Sequence, residues 1–158
     1  MLNRCYSGKY PTYEDCYVCE EWLNYQNFAE WFYQNYYEVD NEIMNLDKDI
    51  LYKGNKVYSP ETCVFVPQRI NTLFIKSNKI RGDLPIGVTS KNNKFMTRCK
   101  NGQNEKIYLG TFNTIEEAFK SYKEYKEKLI EQTANEYKEF IPYVLYEAMC
   151  NYEVEIND

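Results

Sequence analysis

Between residues 84 and 130 the order of turns, strands and caps leaves few folds open. Three β-prone segments, 86–89, 94–100 and 106–110, are separated by Asn92-Asn93 and by Asn101-Gly102, dipeptides that favour the positive φ angles of tight hairpins. Thr114 then sits where a helix N-cap is needed, Glu116 and Glu117 fall in the first turn, and Glu117 occupies the capping-box position. Ala118, Phe119, Tyr122, Tyr125, Leu129 and Ile130 recur at helical spacing. This pattern predicts a three-stranded antiparallel sheet with a long helix across one face.

A second ordered stretch precedes it, from Leu46 to Asn71. Asp47, Lys48 and Asp49 close a first strand, Gly54 and Asn55 form a turn, residues 58–66 are rich in β-branched and aromatic side chains, and Pro67 suits a first helical position. The expected unit is ββα. Asp47 and Asp49 from the strand, Asn55 from the turn and Asn71 from the helix can converge, and oxygen donors of that kind hold a divalent ion against a scissile phosphate. Magnesium or manganese is the expected ion, on Asp47, Asp49 and Asn71.

Charge is segregated along the chain. Residues 1–60 hold 5 basic and 10 acidic side chains, residues 61–110 hold 9 and 3, and residues 111–158 hold 5 and 11. The basic island contains Arg69, Lys76, Lys79, Arg81, Lys91, Lys94, Arg98, Lys100 and Lys106. It reads either as a phosphate-contacting face or as a solvated sheet face neutralised by the acidic helix behind it. There is no histidine, which removes histidine general bases, triads and metal ligands together.

The six cysteines come without other marks of secretion, so reduced thiols are expected. Cys16 and Cys19 have the spacing of a zinc knuckle, which Cys5 or Cys63 would complete; buried free cysteines are the alternative. Residues 1–22 read as irregular. Residues 20–37 place Trp22, Tyr25, Phe28, Ala29, Phe32 and Tyr36 on one face of a core helix. Beyond Thr133 a further helical stretch is interrupted by Pro142, and residues 152–156 alternate like an edge strand. With no long apolar run and no basic-then-apolar opening, a cytoplasmic protein without a membrane segment or signal peptide is expected.

Two family resemblances attach to these stretches. Gly87-Val88, Lys94-Phe95 with Thr97, the run from Tyr108 to Phe112, Thr114, and Glu116-Glu117-Ala118 leading to Tyr122 resemble the plant ethylene-response-factor (apetala-two) DNA-binding domain. In that family the sheet enters the major groove of duplex DNA. Carried to matching positions, the resemblance puts Lys94, Thr97, Arg98 and Lys100 on or beside the DNA-facing strand, with Arg81 and Lys91 at its edge. The plant pattern has more arginines, and a tryptophan where Phe95 stands.

The string from Arg4 to Trp22 and the stretch 46–71 resemble phage-encoded HNH-type endonucleases that carry such a DNA-binding domain. Aligned on Asp47, the position of that family's general-base histidine falls on Lys48, while Asn55 matches its middle asparagine and Asn71 its last position, a histidine or asparagine that ligates the metal. Asp47, Lys48, Asn55 and Asn71 are thus the catalytic candidates. A lysine with an ordinary pKa near 10.4 is neutral in roughly one molecule in two thousand at pH 7, so it would have to be pushed down to about 7 to act as base. Asp47 or Asp49 is the substitute base. Three readings stay open: a metal-dependent nuclease with an altered base, a nuclease scaffold kept for binding, and an unrelated ββα unit in which Asn55 simply takes a positive φ. The opening lies so close to the Arg4-Cys5-Tyr6 string that a preceding segment is expected once to have existed.

The expected architecture is α+β. It has a cysteine-bearing segment and aromatic helix (1–45), an HNH-like ββα module (46–76), an apetala-two-like sheet and helix (77–132), and a C-terminal helix and edge strand (133–158). The expected partner is double-stranded DNA, in a host bacterial cytoplasm if the chain is phage-encoded. The alternative is a host defence protein, inhibited through the aromatic helix 20–37 or the acidic C-terminal surfaces.

Overall fold

A computed structural model describes residues 1–75, 83–102 and 105–158, and it divides into two units, Met1–Gln68 and Arg69–Asp158. The architecture mixes α and β. Among the described residues are six α-helices and three small sheets, and no helix is long and apolar enough to cross a membrane.

In the first unit a short helix α1 (Leu2–Tyr6) occupies part of the segment expected to be irregular, and a 3-10 turn follows at Pro11–Tyr13. Strand β1 (Tyr17–Val18) pairs in parallel with β3 (Val57–Tyr58), and β2 (Met44–Asp47) pairs antiparallel with β4 (Val64–Pro67). The second strand of the expected ββα unit is therefore split in two. Between the pieces, Thr62 Oγ1 donates to the Val57 carbonyl at 2.8 Å, and the Cys63 N–H reaches the Ser59 carbonyl at 3.0 Å, which turns the chain out of one pairing and into the other. Pro67 ends β4 opposite Met44, and the helix α4 (Gln68–Leu73) starts one residue later than expected.

The aromatic helix is also two pieces, α2 (Glu20–Leu23) and α3 (Tyr25–Asn35). Asn24 is extended at φ −84° and ψ 119°, and its side-chain oxygen caps the Gln26 N–H at 3.0 Å. The restart rotates the expected face. Trp22 is fully buried against Phe28 and Trp31, with ring centroids 5.1 and 4.6 Å away, whereas Tyr25, expected on that face, is 73% exposed. Phe32 and Tyr36 stack at 4.7 Å, and both pack edge-on against Phe65.

In the second unit β5 (Val88–Lys91), β6 (Lys94–Lys100) and β7 (Lys106–Phe112) form the expected antiparallel sheet, in that order. Asn92 and Asn93 take φ of 52° and 57°, the pair of left-handed residues that matches a hairpin to strand twist. Helix α5 (Ile115–Tyr137) lies on one sheet face. Thr114 Oγ1 accepts from the Glu117 N–H at 3.2 Å, and the Glu117 carboxylate accepts from the Asn113 N–H at 3.3 Å, so the predicted cap is present with the return bond one residue early. Gly87 is required where it stands. At φ 77° a Cβ there would lie 2.1 Å from the Tyr122 ring.

Helix α5 runs on through the expected break near residue 133, because Ile130, Thr133, Ala134 and Tyr137 continue its buried stripe. Pro142 divides the stretch as expected and is the N-cap of a separate helix, α6 (Tyr143–Cys150). Residues 152–156 form no edge strand. The Val154 N–H donates to Glu127 Oε1 at 2.8 Å and its carbonyl accepts from Lys123 Nζ at 3.0 Å, so α5 side chains take the bonds that a ladder would have used.

Candidate functional site

The side of the β5–β7 sheet away from α5 carries five of the nine cations of the basic island, Lys91, Lys94, Arg98, Lys100 and Lys106. Strand alternation turns Val88, Thr97 and Cys99 inward and Thr89, Lys91, Lys94, Arg98 and Lys100 outward. Cross-strand register then sets Lys91 opposite Lys94, Arg98 opposite Tyr108, and Lys100 opposite Lys106. Like charges directly opposite destabilise a sheet. Two such pairs stand at its two ends, and the five cationic side chains make no ion pair or hydrogen bond among the described residues. Six residues at about 3.3 Å per residue separate Lys94 from Lys100 by roughly 20 Å.

The register shifts between Thr97 and Arg98, leaving Leu109 as the extra residue of a bulge. Beyond it Thr111 rather than Gly110 pairs with Met96. Tyr108, 57% exposed, is held by a 2.7 Å hydrogen bond between its hydroxyl and that of Thr111. Lys106 and Tyr108 were outside the contact set read from the sequence. Only cross-strand register, which local pattern does not supply, brings them beside Lys100 and Arg98.

Thr97 is a correction. Expected at the DNA-facing strand, it lies on β6 but is completely buried, and its Oγ1 donates to the Ala118 carbonyl at 3.0 Å. Its parity, opposite to that of Arg98, assigns it to the helix interface. Arg81, with Lys76 and Lys79, lies outside the described residues.

The other candidate is the loop from Asp47 to Val57. Asp47 ends β2, and its Oδ1 accepts from the N–H groups of Asp49 and Ile50, both at 2.8 Å. The Asn55 amide donates to the carbonyls of Lys48 and Val57 at 2.6 and 2.7 Å, while its oxygen accepts from the Val57 N–H at 3.2 Å. The positive φ belongs to Gly54, at 81°, and not to Asn55. Asn55 thus clamps the two ends of the loop. Lys48 is only 7% exposed; its Nζ donates to the Asn55 carbonyl at 3.1 Å and to Asp49 Oδ2 at 3.2 Å, and lies 5.9 Å from the Tyr58 ring centroid. Burial, and then the neighbouring Asp49 carboxylate, push the Asp47 carboxyl up to about 6.

Asp47, Lys48, Asp49 and Asn55 therefore come together, whereas Asn71 belongs to the second unit, half-buried on α4. The loop fits a divalent ion poorly: one Asp47 oxygen already holds two N–H groups, and an ammonium already sits on Asp49. Among the described residues no three Cys, Asp or Glu side chains are grouped to hold a metal. Cys16 is buried and Cys19 half-buried; Cys5, Cys19 and Cys63 pack into the apolar cluster around Trp22. Burial pushes the Cys63 thiol up to about 12 and raises that of Cys5, which keeps both protonated rather than thiolate.

Compared with protein-family models, with curated proteins and with solved structures, the chain matches none.

Proposed function

We propose that this protein binds duplex DNA through the outer face of β5–β7, and that its first unit carries an HNH-like scaffold that no longer cuts. The observation that carries the first part is the pair of opposed lysine couples, Lys91–Lys94 and Lys100–Lys106, flanking Arg98 and making no ion pair among the described residues. Such repulsion is relieved by a polyanion. A span of roughly 20 Å exceeds the ~12 Å width of the major groove, so the terminal lysines suit phosphates on its two walls while Arg98, Tyr108 and Thr111 face base edges between them.

The second part rests on how the loop groups are used. A general base must reach a substrate water, yet Lys48 is turned into its own loop and Asn55 is committed to backbone carbonyls. Asp47, raised to about 6 by burial, already holds the N–H groups of Asp49 and Ile50 on one oxygen. Incubating supercoiled plasmid with the protein and magnesium or manganese tests this directly. The plasmid is expected to stay intact; nicking that is lost in both Asp47→Ala and Asn71→Ala would restore the nuclease reading.

A second reading, inhibition of a host defence protein, draws on the exposed Tyr25 and Tyr33 of α3 in a unit with five basic and eleven acidic side chains. It requires no DNA retention. A gel-shift titration at about 50 mM salt, where electrostatic binding is strong, separates the two.

A further inference from the structure

Between Lys9 and Lys48 the chain contains no lysine or arginine, while the same 38 residues hold nine acids and seven tyrosines. Nothing in that stretch neutralises its carboxylates. Helices α2 and α3 make a surface of it: their inner side is held by Trp22, Phe28, Trp31 and Phe32, and their outer side exposes Glu20, Glu21, Leu23, Tyr25, Glu30 and Tyr33. Gln26, Glu30 and Tyr33 share one strip at i, i+4, i+7, and Tyr33 is 83% exposed. Exposed tyrosine is enriched at the centre of protein interfaces, and the glutamates beside it suit the polar rim.

The complementary surface exists in the same chain. The outer face of β5–β7 presents five cations and no acid on its strands among the described residues. We infer that the acidic, tyrosine-bearing face of α2–α3 docks on the β5–β7 face of a second copy of this chain. Glu20, Glu21 and Glu30 then oppose the lysine couples, and the Arg98 guanidinium is free to lie on an exposed tyrosine ring. The net charge of −5 opposes association at long range, but the screening length is about 10 Å at 0.1 M salt, so whole-molecule repulsion fades before contact pairs do. Self-association and nucleic acid compete for one face. The inference rests on the charge of that face and does not require that DNA binds it.

Sedimentation velocity on the full chain decides it. At about 50 mM salt association should rise with protein concentration, and at about 1 M, where screening acts within roughly 3 Å, it should vanish. Glu21→Lys/Glu30→Lys and Lys94→Glu/Lys100→Glu should each be monomeric alone, and an equimolar mixture of the two should associate again. A wild type that stays monomeric at every concentration overturns the inference, as does an associating sheet variant or a monomeric mixture. Should a variant not fold, cross-linking of mixed isotope-labelled and unlabelled wild type replaces it: inter-copy links between residues 20–33 and 91–106 are expected, and links that exclude either segment contradict the proposal. Adding duplex should dissociate the copies. If the duplex is not retained at all, the DNA reading falls while the charge-reversal mixture still tests this one.

Discussion

The 47–57 loop and the outer face of the sheet are both built from polar residues, but they use them in opposite ways. In the loop Asp47, Lys48 and Asn55 face inward and bond to backbone groups or to each other. On the sheet Lys91, Lys94, Lys100 and Lys106 face outward in like-charge pairs, with Arg98 outward between them opposite Tyr108. A side chain whose hydrogen-bonding capacity is taken up internally holds the fold. One that stands in repulsion with no internal partner destabilises the fold, a cost that the proposed duplex would relieve.

The comparison can be broken at several points. The largest expected effect is in the loop: Asn55→Ala strands two carbonyls and an N–H, so the first unit should lose about 3 kcal/mol in denaturant unfolding while the affinity of the sheet for DNA is unchanged. A loss of DNA binding with full stability would reverse the roles assigned to the two regions.

Asp47→Asn comes next. The folded state raises the Asp47 pKa from 3.8 to about 6, so it favours the protonated form. That contribution is complete below about pH 4 and is lost as pH rises past 6, on the order of 3 kcal/mol. Asparagine keeps the oxygen that accepts from Asp49 and Ile50 without the buried charge. Thermal melts across this window should show wild-type stability falling relative to the variant, with the variant the more stable above pH 6; parallel curves would refute the assignment.

On the sheet, Arg98→Ala should weaken duplex binding by roughly 1 to 3 kcal/mol and relax sequence preference, as expected for a base-reading arginine. Fluorescence anisotropy with matched and scrambled duplexes measures both. Thr97→Val, one residue away on the same strand, should cost only about 1 kcal/mol of stability through its lost bond to Ala118 and should leave DNA affinity alone. Equal binding losses at the two positions would mean that the inward and outward faces are misassigned.

Features set by short-range pattern were legible in the sequence: the Asn92-Asn93 hairpin, the Thr114 cap and the buried face of α5. Features set by distant partners were not. The parallel pairing of Tyr17–Val18 with Val57–Tyr58 joins segments forty residues apart, which no periodicity reports. Trp22 and Tyr25 share a face on an unbroken helix, but one extended residue at Asn24 separates them. At the site, Lys94, Arg98 and Lys100 followed from charge and alternation, whereas the inward turn of Thr97 required the helix partner and the place of Tyr108 required the cross-strand register. The inward turn of Lys48 follows from acceptors seven residues and one residue away, a closure of the loop that composition does not encode.

The salt dependence of duplex binding tests the central claim most directly. Each neutralised phosphate contributes about −0.9 to the slope of log affinity against log salt, so the four outward lysines predict a slope of roughly −3 to −4. Lys94→Glu/Lys100→Glu should flatten that slope by about 2. No retention of duplex at about 50 mM salt, or a slope that this double variant leaves unchanged, would contradict the account.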